Sequence, residues 1–211
     1  VGAVTVIYTM IGGIEAVVWT DVIQGTLLVI GGLICLFVLL FTPNEGASVV
    51  ISKAWEGGKF AMGNWNFDWY EHNQWFYVIG GTFFTLQYLA CDQSNVQRFL
   101  LARSDREAAQ GAYIGASACV PVWILFSIVG ALLWAFYELS LEQLPAEVLE
   151  SKDFIMPYFI KTQLPAAVIG ILLAALIGAA MSSLDSELNS LATVMVKDFY
   201  VHILPNANDR H

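Results

Sequence analysis

VIQGTLLVIGGLICLFVLLF, residues 22–41, runs for twenty positions without an Asp, Glu, Lys or Arg. A helix needs about 20 apolar residues to cross a bilayer. The same pattern returns at 72–91, 108–137 and 164–184, each free of those four residue types. A soluble helix hides one face and wets the other, and these runs show no polar face. Only 13% of the 211 residues are charged, where a soluble domain carries about 25%. Four long buried helices in so short a chain would leave too little polar surface to dissolve it. The reading is therefore an all-α integral membrane protein, with the lipid bilayer as its first partner.

Punctuation between the runs divides the chain into about five membrane segments, at 1–11, 16–41, 74–98, 108–137 and 164–200. Gly12-Gly13 separates the first two, and Thr42-Pro43-Asn44 closes the second. Long polar loops occupy 42–73 and 138–163, and a short hydrophilic turn, 102–107, joins the third and fourth segments. The first segment is too short to span alone. With no initiator Met, no signal peptide and a polar tail ending at His211, both ends read as cuts.

Lys and Arg near segment ends set orientation. Arg98, Arg103 and Arg106 fall within nine residues, which places the short turn in the cytoplasm. The residues after Gly12 and the tail after Lys197 then also lie inside. The two long loops lie outside, each with two Lys (Lys53 and Lys59; Lys152 and Lys161) and no Arg. Trp65, Trp69, Tyr70, Trp75, Phe76 and Tyr77, with Trp134, Phe136 and Tyr137, crowd the outer margins, the place of an interfacial aromatic belt, with the lining of an outer vestibule as the second reading. The net charge of −9 reflects acids gathered in the outer loops and implies no nucleic-acid partner. Cys35, Cys91 and Cys119 make no metal spacing and no disulfide framework, and read as small, buried and inert.

Polar residues inside apolar runs mark the chemistry. In the fifth segment Ser182, Asp185 and Ser186 stand at i, i+3 and i+4 on one helix face, with Ala179 and Ser183 on an adjoining stripe. Hydroxyls, a carboxylate and a backbone carbonyl are the oxygen ligands that a small hard cation takes. Serines alone would read as helix-packing groups, but an ionisable residue within a span is costly and usually functional. Asp21 has two open readings: an acid favoured by the dipole at a helix start, or a carboxylate facing the fifth helix. Thr85, Gln87 and Tyr88 interrupt the third segment after Gly80-Gly81, and are read either as packing groups or as contacts to a polar solute. Asp92 and Arg98 at the inner end of that segment read as a structural ion pair or an inner gate, with the structural role favoured because charged pairs are common at helix ends. No metalloprotease, nucleophile-elbow, phosphate-loop or dinucleotide pattern is present, so no enzyme is expected. No cofactor is expected either.

GGIEAVVWTDVIQ, residues 12–24, closely resembles a stretch of the sodium/solute symporter family, which includes sodium/glucose, sodium/proline and sodium/sialic acid transporters. Asp92-Gln93 through Val96-Gln97-Arg98, then Ala102-Arg103-Ser104 and Glu107-Ala108, is similar to a second family motif. Ser182-Ser183 through Asn189-Ser190 and Asp198-Phe199-Tyr200 is similar to a third. The resemblance covers nearly the whole chain. It implies part of a LeuT-like bundle of two inverted five-helix repeats, holding the fourth to eighth core helices without the broken first one. It implies symport of a small polar solute (sugar, amino acid, sialic acid or carboxylate) by alternating access, with Na+ as coupling ion, in the plasma membrane or a bacterial inner membrane. A solute sensor built on the same domain is the alternative, and a channel a further one.

Position by position, Ala179 through its carbonyl, Ser182 and Ser183 match the family's general sodium site. Asp21, Ser182, Asp185 and Ser186 match a second sodium site or exit path. Counterparts of Asp185 in the family are often Ser or Thr, so Asp here implies either a stronger second site or a proton acceptor. Tyr88 matches an aromatic inner gate, with Thr85, Gln87 and Ser117 near solute contacts. The sugar branch's Asn and Lys contacts are absent, which argues against a galactose-like solute.

Overall fold

The computed structural model describes residues 2–43, 46–61, 63–67, 73–140 and 144–203. Asn44, Trp69, Tyr70 and His211, named in the sequence, lie outside the described residues. Among the described residues the chain is all-helical: α1 (Gly2–Phe41), α2 (Ala47–Glu56), α3 (Gln74–Cys91), α4 (Gln93–Leu100), α5 (Asp105–Leu139), α6 (Ala146–Glu150), α7 (Ile155–Gln163), α8 (Ala166–Val194) and α9 (Val201–Ile203). A 3-10 turn at Lys152–Phe154 precedes α7, and a π-helical turn at Met195–Tyr200 carries α8 into α9. Among the described residues, three helical stretches are long and apolar enough to cross a membrane: Gly2–Phe41, Asp105–Leu139 and Ala166–Ile203.

The first two expected segments belong to one helical element broken at Gly13, whose φ of 59° and ψ of −158° leave the helical region. Only glycine takes that conformation without a Cβ clash. The third segment differs from its expected span of 74–98. It ends at Cys91, and a separate helix, α4, starts after Asp92. Asp92 adopts an extended backbone, and its carboxylate accepts from the amides of Ser94 (2.9 Å) and Asn95 (3.2 Å). Those are the orphan donors of a helix start, and a carboxylate there is a strong cap. Asn95 Nδ2 reaches back to the carbonyl of Tyr88 at 3.1 Å and so satisfies an acceptor at the end of α3. Both long loops contain helices that the polar composition concealed, α2 in the first and α6 and α7 in the second.

The chain divides into two compact units, with the divisions falling inside α1, α3, α5 and α8. The first comprises Val1–Gly25, Gly81–Ala112 and Leu176–His211, and the second Thr26–Gly80 and Tyr113–Ala175.

The second unit holds the apolar core. Cys35 and Leu39 of α1 meet Val129, Leu132 and Phe136 of α5, Val50 and Ala54 of α2, and Phe159 of α7. Val50 and Ala54 are one turn apart, so α2 buries a single stripe. Glycine permits the close approach of α1 to α5: a Cβ on Gly32 would stand 3.2 Å from both Leu125 Cδ2 and Phe126 Cε1. Phe136 departs from the expected aromatic belt. It is 7% exposed and meets Phe159 edge-on at 5.5 Å between centroids. Of the cysteines only Cys35 is buried; Cys91 and Cys119 are exposed on the helix surface.

The first unit buries polar side chains instead: Thr5, Gln97, Asp185 and Ser190. Val17 is the apolar residue most fully enclosed beside them.

Candidate functional site

Long runs of Ala, Leu and Ile make α8 a strong helix former. Within it, Ser182, Asp185, Ser186, Asn189 and Ser190 recur at spacings of three and four and form one polar stripe. Each of these five side chains has a partner within the first unit.

Asp21 of α1 stands at the centre of the cluster. Its Oδ1 accepts from the Ser182 hydroxyl, and its Oδ2 accepts from Arg98 Nη2 of α4. The same Arg98 nitrogen donates to Ser186 Oγ at 2.7 Å. Asp21 and Arg98 therefore form an ion pair, with the Asp21 side chain 18% exposed and the Arg98 side chain 37%. Charge-assisted bonds of this kind are roughly twice as strong as neutral ones.

Asp185 is fully buried one turn from Ser182. The Tyr8 hydroxyl donates to its Oδ2, and Ser186 Oγ lies 3.4 Å from its Oδ1. Tyr8 precedes the break at Gly13 and Asp21 follows it, so the two parts of α1 each place one oxygen-bearing side chain on α8. Further along the stripe, Asn189 Nδ2 donates to Gln97 Oε1 at 2.7 Å, and the hydroxyls of Ser94 and Ser190 share a bond of 2.9 Å. These bonds hold α4 against α8 and thereby aim Arg98.

Asp21, Ser182, Asp185 and Ser186, grouped in the sequence, are thus brought together. Ser183 faces elsewhere: it is exposed, and its hydroxyl donates back to the Ala179 carbonyl at 3.3 Å. The expected Asp92–Arg98 ion pair is not the one that forms. Asp92 spends its carboxylate on the α4 amides, which leaves Arg98 to pair with Asp21. Thr85, Gln87 and Tyr88 are exposed on α3. At about 100° per residue, Thr85 and Tyr88 share a face, while Gln87 is turned roughly 160° from Thr85. Ser117 is exposed on α5 and belongs to the second unit.

Tyr8, Gln97, Asn189 and Ser190 had no site role in the sequence reading. For Tyr8, Asn189 and Ser190 the signal was nonetheless present, a polar group within a helix of apolar neighbours; Gln97 sits in the polar helix α4 and gave no such sign.

The family model described as "Sodium:solute symporter family" matches residues 1–211. The chain is 32% identical over 209 residues to the sodium/sialic acid symporter NanT of Aliivibrio fischeri, covering 98% of this chain and 41% of that protein. It is 32% identical over 200 residues to the sodium/sialic acid symporter SiaT of Proteus mirabilis, covering 94% of this chain and 40% of that protein. It is 30% identical over 205 residues to the sodium-coupled monocarboxylate transporter 1 of Mus musculus, covering 93% of this chain and 32% of that protein. The chain therefore spans about two fifths or less of the length of these relatives. No solved structure matches it.

Proposed function

Because the chain belongs to the sodium:solute symporter family, we propose that the full-length protein carries a small organic acid across a membrane by sodium-coupled symport. The observation that carries this reading is the convergence of Asp21, Ser182 and Ser186, three oxygen-bearing side chains from two apolar helices. Oxygen donors suit sodium, a small hard cation. A carboxylate inside a membrane segment is otherwise a costly feature.

In this reading Ser182 and Ser183, with the Ala179 carbonyl, hold the coupling sodium. Asp21, Asp185 and Ser186 form a second site or the path by which sodium leaves. Thr85 and Tyr88 present one face of α3 to the solute. The printed names of the relatives, sialic acid symporters and monocarboxylate transporters, support an acidic solute. The arrangement is that of a LeuT-like inverted repeat in which this chain supplies about five segments. The turn at 102–107 faces the cytoplasm and the loops at 42–73 and 138–163 face outward, in a plasma or bacterial inner membrane. Sodium binding favours the outward-facing state, solute joins it, and closure opens the inner side. Such coupling requires sodium to bind the two states with different affinity.

Uptake by the full-length protein in proteoliposomes tests this, with sialic acid, lactate, glucose and proline supplied under an inward sodium gradient or with choline replacing sodium. The expected result is accumulation of an acid that needs sodium and that Ser182→Ala lowers at least tenfold. Sodium binding without accumulation of any of these solutes would replace the symporter with a sensor.

A further inference from the structure

The side chains assigned above to a second sodium site already hold a positive charge supplied by the chain itself. Both Asp21 carboxylate oxygens are engaged, one by Ser182 and the other by Arg98. Ser186 Oγ accepts from the same guanidinium at 2.7 Å. Asp21, Ser182 and Ser186 are thereby linked in one network whose cation is Arg98, and Asp185 joins it through Ser186 Oγ at 3.4 Å. A sodium ion placed among them would meet a like charge bonded to the same carboxylate.

We propose that Arg98 is a tethered cation that takes the place of a second sodium ion, so that sodium reaches Asp21 and Ser186 only after Arg98 withdraws. This rests on the transport reading above and deepens it: the resting chain binds one sodium, and Arg98 gates the inner cation path. Room to withdraw is present. Asp21 and Arg98 line a cavity of about 380 Å³ together with Val18, Phe99, Glu107 and Gly111. Glu107 offers a second carboxylate on the wall of that same cavity. The Arg98 side chain is more than a third exposed, so it moves into this space without breaking a packed core. An arginine suits the role because a single guanidinium nitrogen, Nη2, carries two N–H donors and engages the carboxylate and the hydroxyl together.

The test counts radioactive sodium bound to purified full-length protein by scintillation proximity, with choline holding ionic strength constant. Wild type is expected to bind one sodium per chain, and Arg98→Gln two. Arg98→Lys, which keeps the charge, should bind one. The pair Arg98→Gln and Asp21→Asn removes both charges, strands neither member of the Asp21–Arg98 ion pair, and should also bind one. Wild type binding two sodium ions would overturn the proposal whether or not the Arg98→Gln protein folds. So would equal counts in the Gln and Lys variants, or a second sodium retained in the doubly neutral pair. No sodium binding to wild type at all would instead overturn the transport reading on which the proposal rests.

Discussion

The Tyr8 hydroxyl donates a hydrogen bond to Asp185 across 177 positions of sequence. It joins the part of α1 that precedes the Gly13 break to a carboxylate that is fully buried in α8. Removing one partner of a buried polar pair leaves the other unsatisfied, at about 1–3 kcal/mol. Tyr8→Phe is therefore expected to lower stability by about that amount, read by thermal unfolding of the full-length protein in detergent. Adding Asp185→Asn should produce less loss than the two single changes summed, since the two residues share one interaction. Strict additivity would show that the bond contributes nothing.

Gly13 holds its backbone at φ 59° and ψ −158°, a region that side chains avoid. Gly13→Ala should cost about 1–3 kcal/mol. No neighbouring atom stands within 4 Å of a Cβ added there, so the cost is one of backbone strain rather than crowding. If Gly13→Ala melts with wild type, α1 does not keep this break in solution.

Asp92 caps α4 through the amides of Ser94 and Asn95. Asp92→Ala should cost about 0.5–2 kcal/mol, and Asp92→Ser should recover most of it because a serine oxygen can accept the same bond. Because the cap also sets where α4 begins, and α4 carries Arg98, the Ala variant should weaken sodium-dependent uptake more than the Ser variant does. Equal uptake in the two would separate the cap from the site.

Phe159 of α7 is fully buried against Phe136 in the second unit. Truncation to Ala removes a large ring from a closed core, at about 3–5 kcal/mol. Phe159→Leu, nearer in volume, should lose much less. The measurement is the same thermal melt, and a small loss for Ala would mean that α7 is only loosely docked.

The apolar runs, the break near Gly12-Gly13 and the helical register of Ser182, Asp185 and Ser186 were all legible in the sequence. Each is local: hydropathy and a period of 3.6 residues depend on neighbours a few positions away. The helices within the two long loops were not legible. α2 and α7 are short and carry polar surfaces, and they become helices by burying Val50, Ala54 and Phe159 against other parts of the chain.

The pairing of the charges was decided by tertiary structure in the same way. Sequence proximity favoured Asp92 for Arg98, yet Arg98 reaches Asp21, 77 positions away. Asp92 was already committed to the backbone of α4, and a short carboxylate bonds first to the amides directly above it. Tyr8 likewise gave no local sign of its partner. Amino-acid order alone determined that this chain belongs in a membrane and which face of α8 carries its oxygens. Which residue neutralises which depended on how α1, α4 and α8 pack, because an ion pair forms between groups that are close in space and sequence distance does not enter its energy.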